Sequence, residues 1–219
     1  MMKHIFERAA GTGTQPSGTG PVPGRELPTL VMFHGTGGTE QDLLPLAKRI
    51  APEAAVLSIR GNVLENGMPR FFRRLAEGVF DVEDLVFRTR EVLDFLDEAS
   101  NLYRLDRGNL VAVGYSNGAN ISGSLLFHHP RALRGAILLH PMVPRRGIAL
   151  PDLAGTPVFI GAGTNDPICT AQETEELQAL LEQAGAPVTV HWDNAGHKIT
   201  PKEAAAAADW FQKHFADKE

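Results

Sequence analysis

Cysteine is almost absent from this chain of 219 residues: there is one, Cys169. A lone thiol cannot close an internal disulfide, so stability has to come from a packed core, and the usage fits a reducing cytoplasm. Long apolar runs are missing as well. The segment Met1–Arg8 mixes charged and apolar residues, and neither a signal peptide nor a transmembrane helix is expected. There is no Lys/Arg-rich run, and the formal net charge of -5 points away from any polyanionic partner; nucleic-acid binding is not expected. No Cys/His cluster has metal-ligand spacing, and the adjacent His128 and His129 would not easily converge on one ion. The glycine-rich Gly35–Gly38 lacks both the lysine of a phosphate loop and the third glycine of a dinucleotide fingerprint. Neither a metal nor a cofactor is therefore expected.

What is present describes one compact domain over residues 1–219. The composition is 43% hydrophobic and 21% charged, enough apolar material for a sizeable core. After a short edge strand at His4–Arg8, residues Gly11–Gly24 carry Gly, Thr and Pro without apolar periodicity and are read as a flexible loop. From Leu30 onward, short apolar runs alternate with amphipathic segments. Strands are expected at Leu30–Phe33, Ala54–Ile59, Leu110–Val113, Ala136–Leu139, Val158–Ile160 and Val188–Trp192. Helices are expected at Gln41–Ile50, Asp81–Ala99, Asn117–His128, Thr170–Ala184 and Lys202–Phe215. That alternation predicts an α/β fold: a mostly parallel central sheet flanked by helices on both faces. Asn62–Gly78 follows neither period and reads as a long functional loop.

Gly114-Tyr115-Ser116-Asn117-Gly118 is a G-x-S-x-G pentapeptide between a buried strand and a helix. In that setting the glycines permit a sharp strained turn that lifts Ser116 to the carboxyl edge of the sheet as a nucleophile. The simpler reading is a helix N-cap serine. A serine hydroxyl needs a base. Of eight histidines, His197 fits best: it lies in the loop between the last strand and the last helix, after the serine in chain order. His140, which ends a strand, is not excluded. Asp166 directly follows the Val158–Ile160 strand and is the expected orienting acid; Asp152 lies at the wrong end of that strand and Asp193 is too near His197 in sequence. His34-Gly35-Thr36-Gly37-Gly38 suits an oxyanion loop, with backbone N–H donors expected from Thr36 and Asn117.

Several of these segments, together with Gly67–Arg74, Glu77–Asp81, Pro141–Pro144 and Gly196-His197, resemble the phospholipase/carboxylesterase family of small serine hydrolases, which includes acyl-protein thioesterases. Within it, the branch of bacterial carboxylesterases associated with hydroquinone resistance is the most similar. The resemblance runs from about Thr29 to the end and implies an α/β-hydrolase fold with the same triad, but no particular substrate.

The expectation is thus an esterase acting on a small-molecule ester through an acyl-enzyme. The same site would also serve thioesters or lysophospholipids, or carbon–carbon cleavage of aromatic ring-cleavage products, and a non-catalytic ligand-binding relative is a further alternative. Phe71, Phe72 and Met142 are expected to line the substrate pocket, and Arg70, Arg73 or Arg74 to meet a carboxylate; the equal alternative is that the two aromatics belong to the core and the arginines are solvated. A homodimer is expected on base rates alone.

Overall fold

A computed structural model describes residues 2–9 and 27–216, so the Gly11–Gly24 loop lies outside the described residues. The chain begins with β1 (His4–Glu7), β2 (Thr29–Phe33), α1 (Leu44–Ile50) and β3 (Val56–Ile59). Two small hairpins follow, β4 (Val63–Glu65) with β5 (Met68–Arg70), and β6 (Arg74–Ala76) with β7 (Val79–Phe80). Then come α2 (Val82–Tyr103), β8 (Leu110–Tyr115), α3 (Asn117–His128), β9 (Gly135–Leu139) and β10 (Val158–Gly163). The chain closes with α4 (Ala171–Gln183), β11 (Val188–Asp193), α5 (Pro201–Phe211) and a wide turn at Gln212–Ala216.

Seven strands form the central sheet in the order β1-β3-β2-β8-β9-β10-β11. Every neighbouring pair is parallel except the edge pair β1 and β3. The continuous apolar runs of the inner strands reflect cover on both faces, with alternate residues dividing between two core layers. Val31, Phe33, Ala112, Leu138 and Ile160 pack with Leu85 and Leu96 of α2, Leu125 of α3 and Leu177 of α4. Met32, Val113, Ile137 and Phe159 pack on the other face with Ile50 of α1 and Trp210 and Phe211 of α5.

Element ends differ from the sequence expectations where tertiary contacts or proline intervene. Helix α1 starts at Leu44, with Pro45 in its first turn, where a missing N–H costs nothing. Helix α2 runs on to Tyr103, whose hydroxyl meets the His4 ring at 2.7 Å and whose ring stacks on Phe6 of β1. The last helix leaves α geometry after Phe211, and the turn that follows seats Phe215 beside Gly135 of β9. The aperiodic Asn62–Gly78 stretch is mostly paired into β4–β5 and β6–β7. Asn66 and Gly67 both have left-handed φ, as expected of an Asn-Gly hairpin turn.

No helix among the described residues is long and apolar enough to cross a membrane. Asp81 caps α2, its side chain accepting a hydrogen bond from the Asp84 N–H. Asp81→Ala is expected to lower stability by about 1 kcal/mol, measured by urea denaturation.

Candidate active site

The order of the sheet reverses beside β2: the chain steps from β2 to β3 on one side and later returns with β8 on the other. In open α/β sheets, ligands bind at the carboxyl ends of strands at such a switch point. The ends of β2, β8, β10 and β11 carry Thr36, Ser116, Asp166 and His197.

Ser116 sits in the turn from β8 into α3 with φ 52 and ψ -114, a conformation L-residues rarely adopt. Such strain costs roughly 1–3 kcal/mol and persists only where surroundings enforce it. Two close backbone approaches do so. A Cβ on Gly118 would overlap the Phe33 carbonyl at the end of β2, and one on Gly114 would overlap the Gly118 carbonyl. The Ser116 N–H is held by Leu139 O at 2.9 Å. Ser116 occupies the N-cap position of α3, yet its hydroxyl caps nothing. The Oγ instead meets His197 Nε2 at 2.8 Å.

His197 Nδ1 lies 2.7 Å from Asp166 Oδ2. The Tyr115 hydroxyl donates to the His197 carbonyl at 2.6 Å, and Asn165 Oδ1 accepts from the Gly196 N–H at 2.7 Å, so the histidine loop is tied to β8 and to the Asp166 turn. Asp166 Oδ1 accepts from the N–H groups of Ile168 and Cys169 at 2.8 and 3.0 Å. Burial pushes the Asp166 carboxyl up, but hydrogen bonds from Cys169, the His197 ring, Ile168 and the His140 ring outweigh it and hold the group below its ordinary value. A hydroxyl, an imidazole and an ionised carboxylate in this order can draw a proton from the hydroxyl as it attacks.

Thr36 and Asn117 line the same cavity beside Ser116, and neither backbone N–H meets an acceptor among the described residues. The loop bearing Thr36 is braced from two sides. His34 accepts from the Gly61 N–H at 3.0 Å through Nε2 while its Nδ1 meets Gly35 O, and burial lowers its pKa, so the ring stays neutral. Arg70 donates to Thr36 Oγ1 at 2.7 Å, and the Gly37 N–H donates to Pro69 O. The β4–β5 hairpin is held in turn by Asn117, whose Oδ1 accepts from the Phe71 N–H at 2.7 Å.

The cavity holds about 230 Å³. Met142 lines it, positioned by the Asn120 side-chain carbonyl on its N–H. Phe71 and Phe72 do not. They are 1% and 0% exposed and belong to the core, where Phe71 packs on Phe33 and Phe72 on Phe80. The physical reason is hairpin geometry: the Phe71 N–H is held by Asn117 and the Phe72 carbonyl accepts from Arg70, which turns both rings under the hairpins, and Phe80 of β7 supplies the aromatic wall. Arg70 and Arg74 line the cavity and share Glu65, at 3.1 and 2.9 Å, whereas Arg73 is exposed and pairs with Asp81. Tyr115, Glu77 and Ile168 were not anticipated on the wall. The sequence signal for Glu77 and Phe80 is the Glu77-Gly78 turn, which reads as a second hairpin.

His140 stands behind Asp166 rather than on Ser116. Its Nδ1 meets Asp166 Oδ2 at 2.9 Å and its Nε2 faces Glu203 Oε2 at 3.4 Å. Its position just past β9, at the same sheet edge, was the available signal. Among the described residues, the one donor cluster compact enough for a metal is His140, Asp166 and His197, and those atoms already satisfy one another.

The dienelactone hydrolase family matches residues 19–216. The hydrolase MhqD of Bacillus subtilis (strain 168) is 54% identical over 212 residues, covering 97% of this chain and 98% of that protein. The crystal structure of the Bacillus cereus carboxylesterase superposes with a TM-score of 0.91 at 59% identity, covering 98% of this chain and 95% of that one. The structure of YahD with malic acid gives 0.87 at 27% identity, covering 98% and 100%. Acyl-protein thioesterase 1 of Cryptococcus neoformans is 27% identical over 161 residues, covering 64% of this chain and 66% of that one.

Two outcomes are expected. Phe72→Ala should cost about 3–5 kcal/mol of stability, as a core cavity does, read from urea midpoints. Because Asp166 has a lower pKa folded than unfolded, the stability it contributes is complete above about pH 5 and fades as pH falls through the folded value. The gap in urea midpoint between wild type and Asp166→Asn should therefore be widest near neutrality and narrow toward about pH 3.

Proposed function

The chain belongs to the dienelactone hydrolase family, and on that premise we propose that it is a serine carboxylesterase hydrolysing small soluble carboxylic esters through an acyl-enzyme. The coarser part of this reading, a hydrolase of carboxylesterase type, follows from the family and the relatives. The finer part rests on one observation: the unbroken chain from Ser116 Oγ through His197 to Asp166, at 2.8 and 2.7 Å, opening onto a cavity of about 230 Å³.

In this mechanism His197 Nε2 takes the Ser116 proton as Oγ attacks the ester carbonyl. Asp166 stabilises the resulting imidazolium, and the N–H groups of Thr36 and Asn117 bind the oxyanion; one such donor is typically worth about 3 kcal/mol of barrier. The tetrahedral adduct expels the alcohol, which takes its proton from His197. Water, deprotonated by the same base, then cleaves the acyl-enzyme.

Size and charge favour a small neutral ester. A cavity of about 230 Å³ takes a short acyl or aryl group. The two arginines on the wall, Arg70 and Arg74, are balanced by Glu65 and Glu77, so the formal charges at the mouth cancel. The single, buried, unpaired Cys169 fits a cytoplasmic site of action.

The test is hydrolysis of p-nitrophenyl acetate, butyrate and octanoate by wild type and Ser116→Ala. The variant should lose at least about 1,000-fold in kcat and should no longer react with a fluorophosphonate probe, and octanoate should be the poorest of the three substrates. Full activity in Ser116→Ala would overturn the assignment. A thioester preferred over its oxygen counterpart would move the reading to a thioesterase using the same residues.

A further inference from the structure

The simple triad gives no part to two buried ionisable groups that stand in line behind Asp166. His140 and Glu203 are 2% and 1% exposed, and both point at the triad acid's side of the sheet edge. Asp166 Oδ2 lies between two imidazoles, His197 Nδ1 at 2.7 Å and His140 Nδ1 at 2.9 Å, while its Oδ1 is occupied by two backbone N–H groups. Beyond His140 stands the second carboxylate, Glu203, with Oε2 3.4 Å from Nε2. A neutral imidazole has one N–H and could satisfy only one of these acids. The second, Glu203, would turn Oε2 toward a nitrogen lone pair inside the protein with only a long 3.4 Å contact from the Thr200 N–H to offset its charge, which is costly. An imidazolium serves both.

We propose that His140 and Glu203 are positioning residues of the esterase site: the His140 imidazolium, clamped between two buried carboxylates, holds Asp166 against His197 and sets the net charge that His197 faces. This rests on the serine-esterase reading above.

The surroundings are built for the clamp. His140 has a left-handed φ of 52, with its N–H on Gly161 O at 2.7 Å and its carbonyl accepting the Cys169 thiol at 3.1 Å. A Cβ at Gly161 would overlap the Glu203 carboxylate, so glycine there makes the room. Glu203 is also the capping-box residue of α5 with Thr200, which fixes it one turn after the His197 loop. The clamp thus ties β9, the Asp166 turn and α5 together behind the base. Burial alone would drive the His140 proton off; Glu203 and then Asp166 outweigh it and raise the pKa. The other titratable groups facing the clamp are the His197 ring at 5.2 Å from the His140 ring, the Tyr115 ring at 6.0 Å, and the Cys169 thiol, which burial keeps protonated.

Charge counting sets the expected outcome. Asp166, His140 and Glu203 together carry one net negative charge, the same as an ordinary triad acid alone. His140→Asn removes the cation and leaves two carboxylates behind His197. Glu203→Gln on the same background restores one.

The experiment is the pH profile of kcat/KM on p-nitrophenyl acetate for wild type, His140→Asn and His140→Asn/Glu203→Gln, with a nitrogen NMR spectrum of the wild-type histidines at pH 7. In His140→Asn the acidic limb should move up by about one to two pH units, as a unit charge about 5 Å away implies at an intermediate dielectric. In the double variant it should return to within a few tenths of the wild-type position. Both ring nitrogens of His140 should show the imidazolium signature, a readout that needs no variant to fold. If His140 is neutral in that spectrum, or the limb stays put while only melting temperature and kcat fall, the pair is merely structural and the proposal fails. A wild type without esterase activity would instead overturn the reading beneath it.

Discussion

Where α3 crosses the end of β2, the backbones touch with no space for a Cβ at Gly118, and much of the site follows from that contact. The crossing forces the turn at Ser116 into φ 52 and lifts its hydroxyl away from the helix it would otherwise cap. It also sets Asn117 beside the loop that leaves β2, so that two N–H groups from different elements border one cavity. Packed backbone is stiffer than side-chain contact. In the proposed mechanism, a hydroxyl positioned in this way would need little reorganisation as charge develops, which is what electrostatic stabilisation of a transition state requires.

The rest of the site is a study in buried polarity. Nearly every charged or polar group near Ser116 has a partner that comes from a different element: Asp166 with His197 and His140, Arg70 with Thr36 and Glu65, Asn117 with Phe71, Asn120 with Met142. Each pairing satisfies a group that would be expensive to bury alone. All but the Arg70–Glu65 pair also join segments far apart in sequence, so the polar network acts as the mortar of the sheet's carboxyl edge while the two apolar layers hold its faces.

The sheet and its helices were legible because their signals are periodic and local. Continuous apolar runs marked the inner strands, and Asn117–His128 is reproduced residue for residue. That Ser116, Asp166 and His197 would meet was legible because each follows a strand that ends at the same edge. What escaped was set by contacts between distant residues. Phe71 and Phe72 look like pocket aromatics in an aperiodic stretch, but only the docking of the hairpin on Asn117 decides which way they face. Glu203 is an ordinary capping-box residue in sequence; that it also faces a histidine more than sixty positions earlier is a property of the fold, with Gly161 as the only local trace. The hairpins themselves were written in Asn66-Gly67 and Glu77-Gly78, a turn signal outweighed by the lack of alternation around it.

The β4–β5 hairpin does two jobs at once, since Arg70 both borders the cavity and steadies Thr36. In a protein whose specificity loops hang free of the chemistry, selectivity can drift while turnover is preserved. On the proposed mechanism the two are geared together here: remodelling this wall for a bulkier guest would loosen the loop whose N–H would meet the oxyanion. Divergence toward new substrates would therefore have an easier road through Phe80 of β7 and the Met142 segment, which line the cavity without bracing that loop, and homologues with altered taste should carry their changes there first.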